Sequence, residues 1–171
     1  KIIFETRKGE LHMNRNELRS LLINNNIMEA PDWNEIKEAH DAKPIDIING
    51  EPVYLFDKIF DLSFNPIEEN VFVCQQLPSA YVPMHIHQYI EMIYVYKGQC
   101  TVALQEGEIN LTEGGIIMID KHTPHTVRGI SNADIIIDMK LKHDYLSSGI
   151  LSQFTNKSII SQFLIDSLID S

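Results

Sequence analysis

The chain has only two cysteines, one tryptophan and 14 basic residues against 24 acidic ones. Cys74 and Cys100 each sit among strand-forming residues with no local partner spacing, which excludes a disulfide framework and reads as buried free thiols. A formal charge of -10 leaves no basic footprint for a phosphate backbone, so this chain alone is expected to bind DNA poorly. No run approaches the roughly 18 apolar residues of a membrane span, and no basic start leads into an apolar signal segment. No repeat at solenoid spacing and no low-complexity tract interrupts the pattern. The expectation is a soluble, cytoplasmic protein that makes no membrane contact. What is present, 171 residues with 44% hydrophobic content, suits one compact domain with a substantial core.

Three stretches differ in period. Residues 1–48 read as a polar, helical lead-in: Asn14 with Glu17 resembles a capping box before Leu18, Leu21 and Leu22. Pro31-Asp32 opens a second short helix, with Glu35 in the matching position and Trp33, Ile36 and His40 on one side. Residues 49–142 switch to a β period. The runs "VFVCQQL", "EMIYVY", "CTVAL", "INL", "GIIMI" and "ADIIIDMKL" are separated by turn signals at Lys97-Gly98, Glu106-Gly107 and Gly114-Gly115. Short strands with tight turns and no interleaved helices predict a sandwich or small barrel rather than a parallel α/β sheet. Residues 143–171 return to a helical period, in which Ile160, Phe163, Leu164 and Leu168 share a face. The chain starts without Met and stops at Ser171 without a cap, so both ends are expected to be cut.

The stretch "MHIHQYIEMIYVYKG" carries the chemistry. Residues i and i+2 of a strand share a face, so His85 and His87 project together. After a turn through Gln88-Tyr89, antiparallel pairing returns Glu91 beside them, and His125 at the end of "IDKHTPH" is the fourth candidate. Three imidazoles and one carboxylate suit Zn, Fe, Mn, Ni or Cu, with positions left open for water or ligand. Parity alone leaves an alternative: Met84 and Ile86 could face inward and the histidines outward. Trp33 reads as a packing anchor, and His12, His40 and His143 as surface or cap residues without partners at metal spacing. His122 is expected in a loop or pointing away from His125.

These residues resemble the first cupin motif, HxHx3-4Ex6G, with His85, His87, Glu91 and Gly98 on its positions. The second motif, Gx5PxGx2H, is matched by Gly114 and His125, with Asp120 where proline is usual and His122 where glycine is usual. Ser79 stands in place of the leading glycine of the first motif, and Gly129 in place of the asparagine after the second. The resemblance implies a mainly β fold, the cupin double-stranded antiparallel β-helix, as a closed jelly-roll-like barrel with flanking α-helices. It also implies a metal or small molecule inside.

The rhythm of residues 85–127, including Tyr94, Val95, Leu111 and Gly114, is similar to the N-terminal sensing domain of AraC/XylS-type transcription regulators. Gly115 stands at that pattern's usual aspartate. The implied function is effector binding and homodimerisation, with DNA contacted only through a C-terminal helix-turn-helix domain absent from this chain. His85, His87, Glu91 and His125 are then both the ligand-binding and the metal-binding set, and no residue is catalytic. The effector is expected to be a small polar metabolite, a sugar among the candidates, and one divalent transition metal is optional. The alternative is a metal-dependent cupin enzyme, a dioxygenase, isomerase or decarboxylase. A third reading is a self-satisfied structural cluster.

Overall fold

A computed structural model describes residues 17, 20, 22–24, 30–61, 63–78 and 80–142. The expected C-terminal helices, with Ile160 to Leu168, and the residues His12, Leu18, Leu21 and His143 lie outside the described residues. Glu17, Ser20 and residues 22–24 are helical, and the buried Leu22 carbonyl accepts a hydrogen bond from Gln75 Nε2 at 3.0 Å. The second expected helix, α1 (Trp33–Ala39), is present. Its capping box is complete: the Glu35 amide donates to Asp32 Oδ1 at 2.9 Å, and the Asp32 amide to Glu35 Oε2 at 3.0 Å.

Ten strands follow: β1 (Pro44–Ile48), β2 (Glu51–Phe56), β3 (Val71–Gln75), β4 (His85–His87), β5 (Tyr89–Lys97), β6 (Gln99–Leu104), β7 (Gly107–Thr112), β8 (Ile116–Ile119), β9 (His125–Arg128) and β10 (Ile135–Lys142). They form two sheets, one in the order β1-β2-β4-β9-β6-β7 and one in the order β3-β10-β5-β8. Sheet structure starts at Pro44, ahead of residue 49, because β1 and β2 form a hairpin over Asn49-Gly50. Both turn residues have positive φ, +53 and +83, as a two-residue primed turn requires.

The expected closed antiparallel barrel is not formed. The two sheets keep separate edges, and β2 pairs with β4 in parallel. Between β3 and β4 the chain passes from one sheet to the other, with the Gln76 amide donating to the Ile136 carbonyl and the Met84 carbonyl accepting from the Tyr54 amide, both at 3.0 Å. Pro78 and Pro83 in that stretch lack the amide a ladder needs.

The core lies between the sheets. Ile93 and Val95 of β5 meet Cys100 and Val102 of β6, Leu111 of β7, Ile119 of β8 and Ile136 of β10. A smaller cluster seats α1 on β2: Ile36, Ala42, Tyr54 and Phe56 are buried there, with Trp33 against them. The Trp33 ring meets Tyr54 edge-on at 4.8 Å, so it is a packing anchor.

Gly98 makes the corner between β5 in one sheet and β6 in the other. Its φ is +81, and a Cβ there would stand 1.8 Å from Asp134 Oδ1. That carboxylate staples the corner to the start of β10, accepting from the Gln99 amide at 3.1 Å and from the Ser131 amide and hydroxyl at 2.7 and 2.6 Å. Burial opposes its charge, but the Ser131 and Gln99 hydrogen bonds outweigh this and hold its pKa below the ordinary value. Gly98→Ala therefore has to strain the backbone and displace the staple together. It is expected to lower the unfolding free energy by at least about 2 kcal/mol in urea titrations.

Candidate metal centre and adjoining cavity

The strand parity left open by the sequence is resolved by burial. His85 and His87 of β4 point inward, as do Glu91, Ile93 and Val95 of β5, while Ile86 and Met92 take the other faces. His125 opens β9, directly opposite His85 in an antiparallel pair. The loop before it is tied down at His122, whose amide donates to the His87 carbonyl at 3.0 Å. The His122 Nε2 lies 3.1 Å from Gln88 Oε1. His122 has φ +62, the left-handed conformation for which the second motif uses glycine. It lies in the loop, as expected.

Three of the four expected side chains share one point. Donor atoms of His87, Glu91 and His125 lie within 4.8 Å of one another, and all three residues are buried. Glu91 Oε2 is 2.8 Å from His125 Nε2 and 3.5 Å from His87 Nε2. His85 adjoins this group without entering it. Its ring centroid is 4.4 Å from that of His125 and 6.1 Å from that of His87, and its other neighbour is Phe56, stacked at 4.6 Å. A hydrogen bond from His85 Nδ1 to the Pro83 carbonyl, 2.9 Å, holds that orientation.

Protons locate the charges. A carbonyl only accepts, so Nδ1 of His85 and Nδ1 of His125, which lies 2.9 Å from the Thr123 carbonyl, each carry hydrogen. His125 Nε2 faces the Glu91 carboxylate, also an acceptor. Without a metal this ring is an imidazolium paired with Glu91. Burial works against that charge, but the Glu91 hydrogen bond and negative charge exceed it and raise the His125 pKa. Burial likewise opposes ionisation of Glu91, but the His125 hydrogen bond, with the His87 ring nitrogen 3.5 Å away, prevails and holds its carboxyl well below the usual range. His87 is lowered, chiefly by burial, and both its ring nitrogens are buried without a hydrogen-bond partner.

Those orphaned nitrogens test whether a metal fits. Ligand bonds of about 2.0–2.2 Å place neighbouring donors roughly 3 Å apart, which the spacings of 2.8 and 3.5 Å around Glu91 Oε2 match. An ion held by His87, Glu91 and His125 would satisfy one of the two orphaned His87 nitrogens and take the place of the His125 Nε2 proton. The Nδ1 anchor of His125 already orients it for that role. The residues fit one divalent ion of the N/O-preferring set.

A cavity of about 220 Å³ opens beside this group. His85, Glu91 and His125 line one part of it, and α1 contributes Ile36. His40, expected as a surface or cap residue, is the C-cap of α1 and also lines the cavity. Its ring stacks on Phe56 at 4.2 Å and meets Phe60 edge-on at 4.8 Å. Its Nδ1 has no hydrogen-bond partner. The sequence reading also missed Asp138 and Lys140, which lie on the inward face of β10 with Ile136. The signal was their i, i+2 spacing inside an otherwise apolar strand, a pattern more often seen on a solvated face. Lys140 Nζ is 2.9 Å from Asp138 Oδ2 and 4.0 Å from Glu91 Oε1. Burial and then the Glu91 charge push Asp138 up to about 7, against the pull of Lys140.

Residues 72–137 match the family described as cupin domain. That match covers less than half of the chain, and the fold is the cupin fold, mainly β and built from two sheets. A solved cupin-2 domain containing protein from Shewanella frigidimarina is 16% identical, covering 77% of this chain and 94% of that chain, with a TM-score of 0.39. A cupin protein from Bacteroides fragilis is 21% identical over 42% of this chain and 64% of that one, with a TM-score of 0.35. HppE in its Fe(II) form is 20% identical over 33% of this chain and 32% of that one, with a TM-score of 0.30. No curated protein matches the sequence. Among the described residues no helix is long and apolar enough to cross a membrane.

Two outcomes follow from the proton positions. While His125 is an imidazolium, each bound ion displaces one proton, so zinc affinity should climb about tenfold per pH unit up to the raised His125 pKa and then flatten. Competition titration with a chromogenic chelator measures this, and His87→Ala should weaken binding throughout. His40 gives the second. Its pKa is lowered to about 4, mainly by burial and next by the Lys140 charge. The unfolded state therefore binds more protons below the ordinary value near 6.5, and this group's contribution to stability falls as pH drops from there toward 4. His40→Phe should flatten the stability profile across that window in urea melts.

Proposed function

We propose that this cupin domain senses a small molecule, as the effector-binding and dimerisation part of an AraC/XylS-type transcription regulator, and that it is not an enzyme. The carrying observation is the placement of the cavity. Its polar side is the His/Glu group, α1 lends Ile36 and its C-cap His40 to the wall, and the stacked rings of His40, Phe56 and His85 run from one to the other. A ligand that fills this space touches both the site and the helix. It can therefore favour one position of α1 over another, which is the differential affinity a sensor needs.

The effector is a small metabolite with a polar end toward the His/Glu group. His87, Glu91 and His125 hold one divalent transition metal, with His85 beside it as a further ligand or hydrogen-bond acceptor through its unprotonated Nε2. When bound, that ion supplies positive charge at the edge of the cavity. Of the other charged groups lining the cavity, Asp138 and Lys140 are paired with each other, which supports recognition rather than proton transfer. The acidic balance of the chain supports DNA contact through a separate helix-turn-helix domain.

The test titrates a metabolite panel against the zinc-loaded protein while melting temperature and sedimentation are followed. The expected result is a ligand that raises the melting temperature and also shifts the monomer–dimer constant, by roughly 5–150-fold. Chemical consumption of that ligand, or stabilisation that leaves dimerisation untouched, overturns the sensing role.

A further inference from the structure

Beside the His/Glu group, the cavity contains a second polar cluster that metal binding does not use. Lys140 carries a side chain only 19% exposed, and Asp138 one only 3% exposed. Lysines are rarely withdrawn this far from water unless they are paired. Asp138 takes one of the three N–H groups of Lys140, at 2.9 Å, whereas Glu91 at 4.0 Å is beyond a hydrogen bond and the Tyr89 ring is 5.9 Å away. Two buried polar atoms of residues lining the same space, His40 Nδ1 and Asp138 Oδ1, have no hydrogen-bond partner. The ammonium is therefore held in position by a neighbour that does not exhaust it, within a space whose polar groups are incompletely satisfied.

Charge gives the sign of what fits. Glu91, Asp138 and Asp61 give the cavity lining at most three negative charges, against two positive ones from Lys140 and Lys58. A divalent ion held by His87, Glu91 and His125 would leave the loaded cavity with a net positive charge. Size gives the rest. At about 220 Å³ the cavity falls below the roughly 300–1,000 Å³ of drug-sized sites. An apolar cavity of about 150 Å³ holds a benzene ring, so this one holds a single ring or branched chain with a short polar arm. Phe56, Phe60, Phe64 and Phe72 supply the apolar wall.

We propose that the cavity takes a small organic monoanion, its charged oxygen bound by Lys140 and its compact apolar body packed among the phenylalanines. This rests on the reading of the cavity as an effector site and adds the chemical class. Asp138 is the positioning residue that aims the ammonium.

The experiment measures calorimetric affinities of zinc-loaded protein for three probes of one shape: phenylacetate, its neutral counterpart 2-phenylethanol, and toluene. Phenylacetate should bind roughly tenfold or more tightly than 2-phenylethanol, as a charge-assisted hydrogen bond in a buried site predicts. Lys140→Met should reduce that ratio to about one. Because this variant strands two carboxylates and can fail to fold, Lys140→Met with Asp138→Asn is measured as well, with the same ratio expected. Equal affinities for the acid and the alcohol in the parent protein overturn the anion class while leaving a small-molecule cavity in place. A preference that survives in the double variant overturns the assignment of Lys140 as the group that binds the anion. If not even toluene binds, the effector-site reading falls together with the proposal.

Discussion

Glu91 is a carboxylate with 4% exposure, and much of the surrounding structure serves to keep its charge in place. Removing such a group from water costs several kcal/mol unless partners repay it. Three strands supply them: His87 from β4, His125 from β9 and Lys140 from β10. His87 is four residues away across the turn at Gln88, but His125 and Lys140 are too distant in sequence to be held there by local geometry. The sheets must pair first, and the pairing of His85 with His125 brings β4 and β9 together at the site itself. The polar cluster is thus tied to correct strand register, since a one-residue slip would turn its members to the opposite face.

The same arrangement makes the site receptive. A self-contained hydrogen-bonded cluster would leave no group wanting, yet His87 is buried with neither ring nitrogen bonded. His125 holds a proton where the donor spacing suits an ion. These features favour a binding role over a purely structural cluster, because a structural cluster is stabilised by satisfying every member. The adjoining cavity extends the polar group into an apolar space to which α1 contributes Ile36, so the His/Glu group and the helix border the same cavity.

Much of this was legible in the residues. Turn signals at Gly98, Gly107 and Gly114 divided the strands correctly, and the Asp32/Glu35 box began α1 where it was expected. The motif spacing picked out His87, Glu91 and His125. The β1–β2 hairpin was signalled by Asn49-Gly50 but hidden by the polar residues around it. His40 looked like a cap residue, and it is one. Its second role depends on Phe56 and Phe60, which lie across the cavity entrance from strands and loops distant in sequence.

The sequence by itself determined where strands begin and turn, and which residues alternate on a face, because those follow from nearest-neighbour geometry along the chain. Only the tertiary structure decided which face is inside, that the sheets remain two rather than closing, and that Lys140 and Asp138 join the site while His85 stands beside it. Those outcomes depend on desolvation and charge pairing between strands tens of residues apart. Such energies exist only once the sheets have met.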